Sequence, residues 1–488
     1  MQERNRNTGY VRGIVKNFFW LFLQLGVTRL FGFFITIILA RYLSQADFGQ
    51  YTYTISIAGI FLMLANLGIP SLILREIARQ REKASTIFSM AFAAKLPLTI
   101  VMVALFVVFF LMTSSTGGRF AVIAIAGAYF IENFAVFFST PFRAIEQMHY
   151  LAMGDFFYKV LMIGGVWTFL SFRSGLLGVG AVYMVCSTAY LIFYLILYKK
   201  HFTFTPIARG VAGLVSNLTA VVKDAAPMAL GGVIMIVYIN TDIILLKWLK
   251  GEVITGVYGV SYSFYLGLAM AASLLVQSVF PRISYAVHNN QSDVSEVVVR
   301  GTVKLLFVIS VPISVGGILL SHQTILFFYG ARYLAAIMTF KIFMAAIMLN
   351  YLNLLLGYCL FAERKQDETN AIYAVSIVIN VVGNLLLIPM YSIVGAALAT
   401  LLAEAAFTII YIVRHRVFLR NFTIDWLWRI AVASAVMGLT VHGIGGHLGF
   451  LATVACGAVV YGVILVVEGT FVNEKAFLLS ALRGNGTL

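Results

Sequence analysis

Five charged side chains interrupt runs of apolar residues in this chain: Arg29, Glu132, Asp242, Lys341 and Glu404. The residues around each read as the interior of a membrane-spanning helix, where a charge costs about 3 kcal/mol on insertion scales unless it meets a partner or water. Arg29, Glu132 and Glu404 fall near the middle of their runs, whereas Asp242 and Lys341 fall in the outer third of theirs. Such groups either bind ions and charged headgroups or lock two helices together as an ion pair. Tyr238 lies four residues before Asp242 and shares its helix face. Tyr373, Ser376, Asn380 and Asn384 follow spacings of 3, 4 and 4, which lines one helix face with donors and acceptors. Sugar hydroxyls and interhelical hydrogen bonds suit that stripe equally well. Lys95, nearer the start of its run, reads as a lysine that snorkels to the interface.

Side chains for covalent or metal chemistry do not converge. The seven histidines stand singly in loops or at helix ends, with no His-Glu-x-x-His, no Gly-rich phosphate loop and no Asp-x-Asp. Cys186, Cys359 and Cys456 all fall inside apolar runs, without a loop pair to oxidise or the spacing of a metal site. No catalytic residue, metal or cofactor is expected, and the chain reads as something other than an enzyme.

The elements that hold these groups follow from composition. Of 488 residues, 61% are hydrophobic and 11% charged, with a mean hydropathy of +0.95, where a soluble domain carries roughly 25% charge. A soluble globule is excluded for want of charge to cover its surface. A transmembrane barrel is excluded as well, because its strands alternate polar and apolar residues in segments of about 10. Apolar runs of about 20 residues predict an all-α polytopic membrane protein with about 14 transmembrane helices. The runs extend from Phe18–Ala40 through Phe156–Phe172, the fifth, and Pro227–Leu249, the seventh, to Ile430–Ile444 and Phe450–Val467. The formal charge of +15 is read as orientation rather than as a nucleic-acid face. With Arg4, Arg6, Arg12 and Lys16 in a cytoplasmic tail, 25 of the 34 Lys and Arg fall in cytoplasmic segments and 6 in outer breaks, the bias that sets topology. Both termini are expected in the cytoplasm.

A repeat organises the helices. Arg41-Tyr42-Leu43, Asp47 and Gly49-Gln50-Tyr51 after the first helix recur as Lys247-Trp248-Leu249, Glu252 and Gly256-Val257-Tyr258 after the seventh. Gly68-Ile69-Pro70, closing the second helix, resembles Val279-Phe280-Pro281, closing the eighth. Six helices thus repeat as six: an N-lobe over residues 1–205, a C-lobe over 206–415, and two further helices with a cytoplasmic tail over 416–488. Both halves begin at the cytoplasm, so a pseudo-twofold axis along the membrane normal relates them. In that frame Arg29 with Glu132, and Asp242 with Lys341, occupy equivalent helix pairs with signs exchanged. A charge pair facing a central cavity is expected in each lobe, with Tyr238, Asn380, Asn384 and Glu404 also on its wall.

The run Leu39-Ala40-Arg41-Tyr42-Leu43-Ser44-Gln45-Ala46-Asp47-Phe48-Gly49-Gln50-Tyr51, then Asn66-Leu67-Gly68 and Leu74-Arg75-Glu76-Ile77-Ala78-Arg79, resembles the opening of the polysaccharide transporter family. These are the O-antigen and exopolysaccharide flippases of the multidrug/oligosaccharidyl-lipid/polysaccharide superfamily. Asp242-Ile243-Ile244-Leu245-Leu246, Tyr329-Gly330 with Tyr333, and Leu387-Ile388-Pro389 before Gly395-Ala396-Ala397-Leu398-Ala399 are similar to its later half. Tyr391-Ser392 departs from the Tyr-Gly usual there. The resemblance implies a bacterial inner-membrane flippase that moves a polyprenyl-pyrophosphate-linked glycan from the cytoplasmic to the outer leaflet by alternating access, with H⁺ or Na⁺ coupling possible and no nucleic-acid partner. Two rivals stand beside it. A cation-coupled drug exporter of the same superfamily would favour acids over Arg and Lys in its cavity. A glycan polymerase or ligase would carry a catalytic extramembrane loop, whereas the long loops here are unremarkable in chemistry, with Ile207, Val211, Leu214, Val215 and Leu218 at amphipathic spacing.

Overall fold

A computed structural model describes residues 2–113, 118–171, 175–203, 232–414, 426–445 and 447–470, which are helical throughout apart from turns. The amphipathic stretch of 207–218 lies outside them. Sixteen α-helices are present among the described residues: α1 (Gln2–Tyr42), α2 (Gln45–Asn66), α3 (Ile69–Arg79), α4 (Ala84–Thr113), α5 (Arg119–Ala144), α6 (Met148–Ser171), α7 (Gly175–His201) and α8 (Gly232–Lys250). There follow α9 (Glu252–His288), α10 (Ser292–Leu319), α11 (Ser321–Tyr329), α12 (Ile337–Ala362), α13 (Gln366–Tyr391), α14 (Ile393–Arg414), α15 (Leu427–Ile444) and α16 (Phe450–Val467). Thirteen are long and apolar enough to cross a membrane. The remaining long one is α6, which carries Asp155 and Lys159. Each of the fourteen expected spans therefore has its helix, and α15 runs three residues longer at its start than its apolar run.

Burial follows the logic of a lipid solvent, with polar groups inside and apolar ones out. On α13 the buried face is Thr369, Ile372, Ser376, Asn380, Asn384 and Ile388, while Val375, Val378, Val382, Leu385 and Leu386 are exposed.

Two short helices escape a reading based on long apolar runs. α3 buries Ile69, Leu72, Ile73 and Ile77 and keeps Arg75 and Arg79 outward, and α11 leads into the turn at Gly330. The paired Gly-Ile-Pro and Val-Phe-Pro segments also end differently. At the first, Leu67 (φ 39°) and Gly68 (φ 74°) are both left-handed and Pro70 opens α3. At the second, α9 continues through Pro281 to His288, since no glycine supplies the left-handed step and a membrane helix tolerates an internal proline. The motif at residues 44–47 is a cap: the Ser44 hydroxyl accepts from Asp47 N at 3.0 Å and donates to Asp47 Oδ2 at 2.8 Å, fixing the start of α2.

The chain forms two compact units, Met1–Gly259 and Val260–Leu488. In the first, α5 packs on α7 and α1 on α6, around aromatic contacts of Phe88 with Phe137, Phe138 and Tyr198 at 4.7 to 5.2 Å. In the second, α13 packs on α14, and α15 and α16 close over α10 through Ile430, Met437, Val441, Tyr461 and Leu465.

Candidate functional site: intramembrane charge in the two units

In the first unit Asp155 and Glu132 are held by neutral donors. Asp155 on α6 accepts at Oδ2 from Gln24 Nε2 (3.0 Å) and Thr28 Oγ1 (2.8 Å), one turn apart on α1, and at Oδ1 from the Tyr190 hydroxyl on α7. Tyr190 stacks on Tyr158 with ring centroids 4.6 Å apart. Tyr158 in turn donates to Glu132 Oε2 on α5 at 3.0 Å and lies 3.3 Å from the Ser187 hydroxyl. A stacked tyrosine pair therefore links the two acids. The apolar-run reading starts this helix at Phe156 and so leaves Asp155 outside it. Starting α6 at Met148, where a polar turn ends, would have exposed it as an intramembrane acid.

The basic residues behave differently. Arg29 is exposed and makes no hydrogen bond or ion pair among the described residues; it does not pair with Glu132. It lies 13 residues before the end of α1, about 20 Å along the helix. Lys95, expected to snorkel, is instead buried with no exposed surface. Its ammonium donates to Asn66 at the end of α2 and to Asn133 Oδ1 on α5 at 2.8 Å, and it lies 5.6 and 5.1 Å from the ring centroids of Phe134 and Phe137. Two amide oxygens and two aromatic rings take the place of water around this cation.

Asp242 on α8 is 2% exposed and accepts from the Tyr258 hydroxyl on α9 at 2.6 Å. Tyr238, one turn earlier, is half-buried. Asp242 belongs to the first unit and Lys341 to the second, where Lys341 is half-buried on α12 and carries no ion pair among that unit's described residues.

The second unit centres on Glu404 of α14. Oε1 accepts from Tyr265 (3.1 Å) and Asn350 Nδ2 (2.9 Å), and Oε2 from Asn353 Nδ2 (2.7 Å). Asn353 is fixed in turn, because it also donates to the Glu404 carbonyl at 2.8 Å and accepts from Thr408 at 2.6 Å. Asn380 and Asn384 are fully buried and joined by a 3.1 Å hydrogen bond, which makes the stripe an interior feature of the unit. Asn350 and Asn353 were missed in the sequence because an asparagine in an apolar helix carries no charge to draw attention. A separate cavity of about 460 Å³, lined by Phe264, Leu268, Ile313, Met344, Met437 and Val454 among others, is almost wholly apolar and offers nothing to a sugar or a phosphate.

Among the described residues, buried charges are thus held inside membrane helices by neutral dipoles, while Arg29 is exposed. Residues 14–287 match the family described as polysaccharide biosynthesis protein. The chain belongs to that family. Two curated relatives, each named probable lipid II flippase MurJ and found in Helicobacter pylori strains J99 and 26695, are 26% identical over 195 residues. That alignment covers 38% of this chain and 42% of either relative, so the match spans less than half their length. Among solved structures, one titled lipid II flippase MurJ in an inward closed conformation superposes with a TM-score of 0.70 at 15% identity, covering 94% of this chain and 99% of that one. An inward-facing multidrug resistance MATE family transporter of the MOP superfamily follows at 0.65 and 13% identity, covering 82% and 99%. The fold of this family member is thus one shared with a lipid II flippase and a multidrug resistance transporter.

Proposed function

We propose that this protein is a flippase that carries a polyprenyl-pyrophosphate-linked oligosaccharide, an O-antigen or exopolysaccharide repeat unit, from the cytoplasmic to the outer leaflet of a bacterial inner membrane. Both termini lie in the cytoplasm, and lobes of helices one to six and seven to twelve alternate access to a path between them. The observation that carries the reading is Arg29. A guanidinium open to its surroundings at that depth, with no counter-charge among the described residues, is stable only against water or an anion, and its fork matches a pyrophosphate. Family membership supports the cargo class, and the relatives named as lipid II flippases support a lipid-linked one. The tail needs no polar path, since it stays in hydrocarbon. The apolar cavity beside α15 and α16 suits such a chain.

The test is reconstitution into liposomes with a labelled polyprenyl-pyrophosphate glycan in one leaflet. Exchange faster than in protein-free vesicles is expected, with a loss in Arg29→Ala. Movement of small organic cations in its place, with no glycan exchange, would assign the protein to the exporter class.

A further inference from the structure

The two glycines aligned by the repeat meet in space. α2 and α9 cross near their N-terminal ends so closely that neither glycine has room for a side chain. A Cβ built on Gly49 would lie 1.9 Å from Glu252 O and 2.8 Å from Gly256 N, and one built on Gly256 would lie 2.0 Å from Gln45 O and 3.0 Å from Gly49 N. The contact is reciprocal. Gln45 precedes Gly49 by one turn and Glu252 precedes Gly256 by one turn, and each carbonyl sits over the other helix's glycine, as a local two-fold axis through the crossing requires.

One turn further on, a Cβ at Gly259 would lie 3.2 Å from Thr52 Cγ2 and 3.3 Å from the Phe48 ring. Beside this seam α8 is tied to α2, with Trp248 Nε1 donating to Tyr53 Oη at 3.2 Å and Lys247 5.8 Å from the centroid of the Tyr53 ring.

We propose that this crossing is the outer gate of the transport path. Gly49 and Gly256 are positioning residues whose bare backbones allow α2 and α9 to close, and whose parting opens the path outward. The assignment of this end to the outside rests on the flippase reading and its topology. Three features suit a gate better than a static joint. The crossing joins one helix from each half of the repeat, the halves that must separate in alternating access. At the two glycines its surfaces are helix backbone whose hydrogen bonds lie within each helix, so the polar contacts described that parting breaks are the side-chain ties of Trp248 and Lys247 to Tyr53. Two residues past each glycine stands a buried tyrosine, Tyr51 bonded to Tyr183 on α7 and Tyr258 bonded to Asp242 on α8, so movement at the crossing reaches a polar contact on either side.

The experiment uses the full chain with Cys186, Cys359 and Cys456 replaced by alanine. In the Thr52→Cys, Gly259→Cys protein the new side chains lie within disulfide reach, and an oxidant should cross-link them. Leaflet exchange of the labelled glycan should then fall about tenfold or more and return on reduction, as expected when an open state is denied. Cross-linked protein that exchanges at the reduced rate would overturn the gate. A second arm needs no transport: in Thr52→Cys alone, adding Gly256→Ala should raise labelling by an impermeant thiol reagent from outside about tenfold, because the methyl forces the helices apart. Unchanged labelling in a folded protein would also overturn it. If cross-linking and labelling behave as expected while the uncross-linked protein moves no glycan, the gate stands and the cargo assignment falls.

Discussion

Tyr51 and Tyr258 hold matched places in the two halves of the repeat, each two residues past a crossing glycine and each buried at 6% and 0% exposure. Their backbones are alike and their chemistry is not. Tyr51 meets a second neutral hydroxyl, that of Tyr183, at 2.7 Å, whereas Tyr258 donates to the carboxylate of Asp242 at 2.6 Å. The repeat thus preserves the crossing and lets the partners diverge. Where two helices must touch, only glycine serves; where a hydroxyl needs a partner, any acceptor does. Function has room to differ between the halves at the second kind of position and not at the first.

That contrast carries an energetic expectation. A hydrogen bond to a charged group contributes about 1.5 to 3 kcal/mol and one between neutral groups about 0.5 to 1.5 kcal/mol. Tyr258→Phe should therefore lower the unfolding stability of the purified protein in detergent by about 2 kcal/mol. Tyr51→Phe should follow at about 1 kcal/mol, since it leaves only a neutral hydroxyl behind. Equal losses in urea unfolding would break the comparison. A double-mutant cycle sharpens it. In an Asp242→Asn background the amide oxygen still accepts from Tyr258, but without charge, so the cost of Tyr258→Phe should shrink to that of Tyr51→Phe.

The same distinction explains what was legible in the sequence. Long apolar runs marked the long helices described, because hydrocarbon admits no other way of satisfying a backbone; the repeat aligned Gly49 with Gly256 but did not reveal that their helices cross. α3 and α11 were not legible, being 11 and 9 residues long and too short to show as spans. Charges inside the apolar runs were easy to find and hard to partner, and Asp155, one residue outside its run, was missed. Arg29 and Glu132 were expected to pair by sign, but a hydroxyl or an amide solvates a buried charge without desolvating a second ion. Glu132 has Tyr158, Asp155 has Gln24, Thr28 and Tyr190, Glu404 has Asn350, Asn353 and Tyr265, and Lys95 has Asn66 and Asn133. None of those partners carries a charge that could be read as complementary. Lys95 was misplaced for a related reason: hydropathy locates a lysine along a helix but not the two asparagines that let it stay inside.

Arg29 supplies the smallest expected effect on stability and the largest separation between stability and transport. Asp242 is held by the protein, so disturbing its contact costs folding energy; Arg29 is held by no residue described, so deleting its guanidinium removes no internal contact. Arg29→Ala should leave unfolding within about 0.5 kcal/mol of the parent, as for a surface substitution, while leaflet exchange of the pyrophosphate-linked glycan collapses. Arg29→Lys should restore part of the rate, because an ammonium keeps the charge but lacks the two-pronged geometry that grips adjacent phosphate oxygens. Paired measurements of chemical unfolding and of glycan exchange decide the matter. A destabilised Arg29→Ala protein would place the side chain among the structural charges with Asp242 and Glu404. Undiminished exchange by a stable one would remove the pyrophosphate from Arg29 and leave the headgroup to be recognised elsewhere.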